Sequence, residues 1–459
     1  MVLNMHPPMK NLVLPVETAA RELDAKLLLA CVAAERGYSA FVGFQNEIRS
    51  HIAAIPRGVY IAKGFASRKA RFLRILEGLG FIITAWDEEG LVHPAAEIYA
   101  KRRISAESLA FLDGIFSWGQ NYTELIKSLP FYDGTPIHQV GNPRLDLLRT
   151  GLQRYYAQDV EKLQARLGRY ILFNSNFGRV NSAIKRPRDE GVAGPGTDPM
   201  LDVLWLKGMA YRRELYQRFR SLIESVAQKF PDHQIVLRPH PAERIESWDD
   251  ISKKNPNVQV LYEGNVIPWL LGAEILIHNG CTTAIESVLM GRPALCYQPI
   301  PADSPDWELP NSVSHLADSD DAVLREIRTQ IGGGSKLSVL PAQRRKLDKY
   351  VDIDEQRLAC DRIMDVIEST YSAGTRTGIY SRSLATLDAK VRAVEKHLRG
   401  MLPGNTYSKW HQNKQFPPLK VAQVREMTAR LQSATGRFGG LDISEFRNNI
   451  FKVTQKERN

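Results

Sequence analysis

The segment Leu237-Arg-Pro-His-Pro241 sets a fixed cation and an imidazole between two prolines that hold the turn rigid. Arg238 there suits a phosphate, and His240 can donate at the mouth of a following helix. About forty residues on comes His278-Asn-Gly-Cys-Thr-Thr-Ala-Ile-Glu286. After His278 and Asn279, Gly280 permits close backbone approach and Thr282 and Thr283 supply hydroxyls. The unpaired N–H groups of a helix start complete an anion site. Glu286 falls one turn inside that helix. A third cluster, Trp86-Asp-Glu-Glu-Gly-Leu-Val-His-Pro94, places Asp87, Glu88 and Glu89 side by side. Mutual repulsion is expected to leave one of the three partly protonated, which serves a general base or a carboxylate nucleophile.

Lesser candidates surround these. Lys63-Gly64 offers a cation for a carboxylate or phosphate, and Trp118 in Ser117-Trp-Gly-Gln-Asn-Tyr122 offers a ring for sugar stacking. Asn142 and Arg144 lie in the turn Gly141-Asn-Pro-Arg-Leu-Asp146, and Asn174, Ser175 and Asn176 form a polar run suited to donor hydroxyls. Glu17, Arg21 and Asp24 lie close after the first apolar run.

Each cluster needs an element to hold it, and the apolar runs supply one. Strands are expected at 11–16, 40–43, 59–62, 81–84, 114–117 and 136–140, with helical spacers between most of them. A polar helical connection, 143–168, leads to a second series at 170–173, 234–237, 258–261, 274–277 and 293–297. A helix over 201–230 and a Gly/Pro-rich mobile loop over 182–200 lie inside that series. Strand–helix alternation predicts α/β architecture, with two Rossmann-like domains facing across a cleft and a mainly helical C-terminal extension. The expected boundaries are 1–150, 168–372 and 373–459. Each polar cluster follows a predicted strand, where ligands of such sheets bind.

Composition narrows the classes. The 43% apolar and 24% charged residues describe a globular protein, and no apolar run reaches the roughly 18 residues of a membrane span. Met1 to Pro15 lacks the apolar core and cleavage site of a secretory signal. Four widely spaced cysteines, Cys31, Cys281, Cys296 and Cys360, fit a reducing cytoplasm and form no metal-ligating pair. Dinucleotide and P-loop glycine motifs are absent, and Asp318-Ser-Asp320-Asp321 is expected to cap a helix rather than hold a metal. Neither a metal nor another cofactor is expected. The net charge of +10 is uneven, because 16 Lys/Arg and 6 Asp/Glu fall in 374–459 and leave 45 of each sign before it. That tail is expected to meet an anionic surface, or else to brace a domain. A nucleic-acid partner is excluded by the confinement of the charge and the lack of an RNA-binding motif.

Arg-Pro-His-Pro at 238–241, then the 278–286 cluster and Gly291-Arg-Pro-Ala-Leu-Cys-Tyr297, resemble the donor domain of GT-B glycosyltransferases. The pattern is most similar to surface carbohydrate biosynthesis proteins and to sialyl- and Kdo-transferases that use CMP-sugars, over nearly all of 10–370. The resemblance implies that His240 and Pro241 contact the nucleotide and that Thr282 and Thr283 hold its phosphate. The acidic turn is similar to the Glu-Asp-Gly-Phe turn of retaining β-Kdo transferases, whose Asp is the nucleophile. Glu88 matches their Glu and Glu89 their Asp, so this chain departs by carrying Glu there. The resemblance thus implies a metal-independent glycosyltransferase, taking Kdo or another ulosonic acid from a CMP-sugar donor. Its acceptor would be a glycan or lipid-linked glycan of a surface polysaccharide or lipopolysaccharide. Its place would be the cytoplasm, or the inner-membrane surface if residues 374–459 attach there. A CDP-glycerol-type polyol-phosphate transferase, a UDP-sugar 2-epimerase and a non-catalytic glycan-assembly subunit are the alternatives.

Overall fold

Apolar runs bounded by polar turns form the strands of two sheets in the computed structural model, which describes residues 10–92, 96–183, 199–301, 308–333, 336–371, 381–402, 405 and 407–456. Two units result, Met1–Tyr155 with Asp348–Asn459, and Tyr156–Leu347.

The first unit is built on β1 (Asn11–Val16), β2 (Ser39–Phe44), β3 (Val59–Ala62), β4 (Ile82–Ala85), β5 (Gly114–Ser117) and β6 (Ile137–Gln139). They pair in parallel in the order β2-β1-β3-β4-β5-β6. The order reverses between β1 and β3, which in doubly wound sheets opens a crevice beyond the carboxyl ends of those strands. The helix Ala19–Glu35 carries the run Leu27 to Ala34, every residue of it buried. A helix apolar all round must be covered on all sides. The helices Ala359–Val366 and Val421–Thr435 pack against it together with the sheet.

The second unit holds β7 (Tyr170–Asn174), β8 (Gln234–Arg238), β9 (Val258–Val260), β10 (Ile275–His278), β11 (Ala294–Tyr297) and β12 (His315–Ala317). All pair in parallel, in the order β12-β11-β10-β7-β8-β9. Here the order reverses between β7 and β10, as in dinucleotide-type sheets. Phe173, Phe177, Phe219 and Trp248 fill its core with edge-on and tilted rings.

The α/β reading and the mainly helical tail therefore hold, and one boundary is corrected. Residues 348–371 belong to the first unit, so the second ends at Leu347 rather than 372. Beyond its helices the tail carries two strands: β13 (Leu441–Arg447) and β14 (Ile450–Gln455) form a hairpin, and β14 pairs antiparallel with β2. Gly43 makes that docking possible, since a Cβ there would lie 2.1 Å from the Asn449 carbonyl oxygen. The two short strands β9 and β12 end in Val260 and Ala317, and the three residues of β12 make too brief a pattern to be read from sequence. Most of the expected loop, 184–198, lies outside the described residues, as do His93 and Pro94. No helix among the described residues is long and apolar enough to cross a membrane.

Candidate functional site

In the first unit, side chains at the carboxyl ends of β1 to β4 surround a cavity of about 460 Å³. Its floor is an ion-pair chain built from the helix Ala19–Glu35 and the strand ends. Lys63 lies 2.7 Å from Glu17 and 2.6 Å from Glu22, and Lys26 lies 3.3 Å from Glu22 and 2.9 Å from Glu88. Lys26, Lys63, Glu22 and Glu88 are all buried, so each charge survives only because an opposite one touches it. Sequence motifs do not reveal this alternation of signs. Glu22 and Lys26 sit four residues apart at the edge of an apolar run, and that spacing was the available signal.

The acidic turn does not behave as expected. Repulsion within the triplet is replaced by private partners. Asp87 is buried, accepting from the Tyr99 hydroxyl at 2.7 Å and from Arg103 Nε at 2.9 Å. Glu88 Oε1 accepts from the Trp86 indole at 2.8 Å. Burial would raise the Glu88 carboxyl, but Lys26, Lys63 and Arg144 outweigh it and hold it well below the usual carboxylate range. Glu89 is likewise lowered, burial being overcome by Arg21, 2.6 Å away, and by Arg103. Neither glutamate is partly protonated near neutrality. Glu89 alone of the three is exposed, and Glu88 Oε2 is buried without a hydrogen-bond partner.

Three further expectations on this unit are corrected. Lys63 is held by Glu17 and Glu22 rather than standing ready for a ligand, although it lines the cavity. Trp118 cannot stack on a sugar: it is 1% exposed, donates its indole N–H to the Asp87 carbonyl at 2.8 Å, and lies under the Arg144 guanidinium. Asn142 caps the helix Pro143–Asp146, accepting from the Arg144 N–H at 3.0 Å. Among the residues after the first apolar run, Glu17 and Arg21 line the cavity, while Asp24 accepts from Tyr155.

Cations that no sequence motif singles out face the same cavity. Arg49, Arg68, Lys69 and the tail's Arg392 line it beside Tyr407 and His411. Arg49 and Arg392 both lie over the Phe72 ring, and neither has a carboxylate within ion-pair distance among the described residues. Burial and the nearby Arg49 push Lys69 down to about 7, and burial with Arg49 and Arg392 pushes Lys396 to about 6. Cations that destabilise one another in this way form a site that an anion would relieve.

The second unit uses hydrogen bonds rather than a chain of ion pairs. Asn176, just beyond the end of β7, donates its N–H to Asn279 Oδ1 at 2.8 Å and its side-chain amide to the Gly280 carbonyl at 2.9 Å. Asn174 donates to Thr283 Oγ1 at 2.9 Å. These bonds tie β7 to β10 across the point where the strand order reverses. Glu243, which no motif marks, ties β7 to β8. It accepts from Ser175 at 2.8 Å, from the Phe177 N–H at 2.9 Å and from the His240 N–H at 3.1 Å. Burial raises its carboxyl, against the pull of those donors. Its signal was the acid two residues after the Pro-His-Pro turn.

Several expected ligand residues are structural here: Asn174, Ser175 and Asn279 are buried in the bonds just given, and Arg238 and His278 are buried as well. Arg238 is buried, donates to the Glu263 carbonyl at 2.8 Å and lies 4.7 Å over the Trp269 ring, so it braces the loop after β9 rather than meeting a phosphate. His278 is fully buried. Its Nδ1 accepts from the Gly280 and Cys281 N–H groups at 3.0 and 3.2 Å, its Nε2 meets Ser314 at 2.8 Å, and burial lowers it to about 3. Gly280 takes a φ of +87°, which suits glycine alone. His240, Pro241 and Thr282 remain exposed at the strand ends, with Thr283 and Glu286 half-buried beside them. Ser319 caps its helix as expected, and all four cysteines are free and buried. No metal-ligating group of three occurs among the described residues.

No protein-family model and no curated protein matches the sequence. Solved structures do. The UDP-GlcNAc 2-epimerase of Methanocaldococcus jannaschii shares 12% identity over 78% of this chain and 99% of its own, with a TM-score of 0.48. The Neisseria meningitidis UDP-GlcNAc 2-epimerase, bound to UDP-GlcNAc, gives 12%, 79%, 99% and 0.46. The wall teichoic acid polymerase TagF gives 11%, 79%, 91% and 0.46. At these identities and scores the likeness bears on neither substrate nor reaction.

Proposed function

We propose that the chain is a transferase that takes a glycosyl or polyol-phosphate group from a nucleotide-activated donor and passes it to a surface-polymer acceptor. One observation carries this reading. Asn174 to Asn176, Asn279 to Thr283 and the His240 turn converge on the β7/β10 reversal, held by Glu243 and leaving His240, Pro241 and Thr282 outward. That is where an α/β sheet of this order receives a nucleotide. His240 would touch the donor's phosphate or base, and Thr282 and Thr283 its phosphate oxygens.

The first unit would take the acceptor and supply the carboxylate. Glu89 is ionised and exposed, which fits a nucleophile or a stabiliser of developing positive charge better than a general base. A CMP-ulosonic acid donor, with CMP as the leaving group, is the finer form of the proposal. The excess of cations around the cavity favours a second form, polyol-phosphate transfer onto a phosphate-rich acceptor, where no carboxylate nucleophile is needed.

Thermal melting with CMP, CDP, UDP, UMP and GDP tests the proposal. A nucleotide at about 100 times its dissociation constant adds about 2.7 kcal/mol of stability, a readable shift. Cytidine-specific stabilisation lost in His240→Ala is expected. A uridine preference would turn the reading to a UDP-sugar enzyme, and no response to any nucleotide would sink it in favour of a non-catalytic assembly subunit.

A further inference from the structure

The tail helix Arg382–Gly400 presents two unlike faces. On one, Ala385 and Ala389 are buried, and Asp388 and Glu395 bond Arg71 of the helix Ala70–Leu79 at 2.6 and 3.1 Å. Arg392 lies over Phe72 on the same side. On the other face Leu384, Leu387, Val391, Val394 and Leu398 follow one another at alternating spacings of three and four, and Met401 and Leu402 extend the line. All seven are at least half exposed. Isolated exposed leucines are ordinary, but a continuous apolar stripe of this length marks a surface that meets something.

The charges beside the stripe decide what. Arg382, Lys390, Lys409 and Lys414 are exposed and in no ion pair among the described residues. The helix's own acids are engaged, Asp388 by Arg71 and Glu395 by Arg71 and Arg399. Trp410, 73% exposed, stands just beyond with the Lys414 ammonium 5.7 Å from its ring. A second copy would set Lys390 against a face of the same sign, because Asp388 and Glu395, which could have paired with it, are already engaged. An anionic lipid surface matches the apolar stripe, the basic flanks and the interfacial Trp together. We propose that the face of Arg382–Gly400 bearing Leu384, Leu387, Val391, Val394 and Leu398 lies flat on an anionic bilayer, with Trp410 at the headgroup level. The inference is independent of the transfer reaction.

Co-sedimentation of the full chain with vesicles tests it. Mixed phosphatidylglycerol–phosphatidylcholine vesicles should pellet the protein, pure phosphatidylcholine vesicles should not, and added salt should weaken the binding. The triple variant Leu387→Ser/Val391→Ser/Val394→Ser alters only exposed side chains, so its melting temperature should match the parent while its affinity falls by about tenfold or more. Lys390→Glu should weaken binding to the anionic vesicles alone. Failure of the parent to bind anionic vesicles, or equal binding by the triple variant, would overturn the proposal. A concentration-dependent dimer in light scattering that the triple variant abolishes would also overturn it, assigning the face to a second copy.

Discussion

The two units solve one problem by different chemistry. Each is built on six parallel strands whose order reverses once, and each gathers its polar residues beyond that reversal. In the first unit the gathering is ionic, with Glu17, Lys63, Glu22, Lys26 and Glu88 alternating in sign and mostly buried. In the second it rests on hydrogen bonds among asparagines and backbone amides, with one buried carboxylate, Glu243, as the hub and no cation against it among the described ion pairs. Buried ion chains hold fixed charges at set positions, which suits the stabilisation of charge that develops during reaction. Hydrogen bonds donated to a single buried acid hold backbone in place, which suits a rigid platform for a ligand.

Breaking one link in each unit should expose this difference, and the ionic one should cost more. Lys26→Ala strips Glu88 of its ion-pair partner in a buried site and leaves Glu22 with Lys63 alone, with an expected loss of about 3–5 kcal/mol in chemical denaturation. A loss below about 1 kcal/mol would mean that the chain of charges is not mutually dependent. Glu243→Ala leaves the Phe177 and His240 N–H groups and the Ser175 hydroxyl without their acceptor, at about 1–3 kcal/mol, and should abolish any nucleotide-induced melting shift. Gly43→Ala forces a methyl onto the Asn449 carbonyl, so the hairpin β13–β14 should yield to limited proteolysis, with about 1–3 kcal/mol lost.

The pH responses should separate the units further. His278 is lowered by burial from 6.5 to about 3, so between those values the unfolded chain binds a proton there and the folded chain does not. Stability should therefore fall as pH drops from about 6.5 toward 3, by about 1 kcal/mol per pH unit, and His278→Asn should flatten that slope. In the first unit Lys69 is lowered from 10.5 to about 7, so over that range the unfolded chain holds the extra proton. Its contribution to stability is greatest above 10.5 and is lost as pH falls to about 7, where the strained ammonium forms in the folded state too. An anion in the cavity favours the charged form. Inorganic pyrophosphate should raise the melting temperature more at about pH 6 than at about pH 9, and Lys69→Met should shrink the gap.

Much of the architecture was legible because it follows local pattern. Runs such as Tyr170-Ile-Leu-Phe173 and Gln234-Ile-Val-Leu237 are buried on both faces and read as strands of a parallel sheet. The polar clusters were legible by position, since Asn174, Arg238 and His278 each end a strand. Their roles were not. Whether Arg238 meets a ligand or a Trp ring depends on β9 and the loop after it, far along the chain. Whether Trp118 is a platform or a buried donor depends on the Asp87 carbonyl, thirty-one residues away in sequence. The acidic triplet misled for the same reason, because its partners Lys26, Arg21 and Arg103 come from other elements. The tail hairpin is hidden from local pattern because its partner strand, β2, lies some four hundred residues earlier.

That hairpin bears on the order in which the chain can assemble. The first unit is split in sequence, its early strands separated from β14 by the whole of Tyr156–Leu347. A ribosome releases the inserted unit entire before the residues that seal the outer face of β2 and cover the helix Ala19–Glu35. The inserted unit can therefore finish first, while the earlier-made strands wait with an open edge and an uncovered apolar helix. During that interval the nascent chain exposes the surface that chaperones bind, and slowing translation beyond Leu347 should lengthen it.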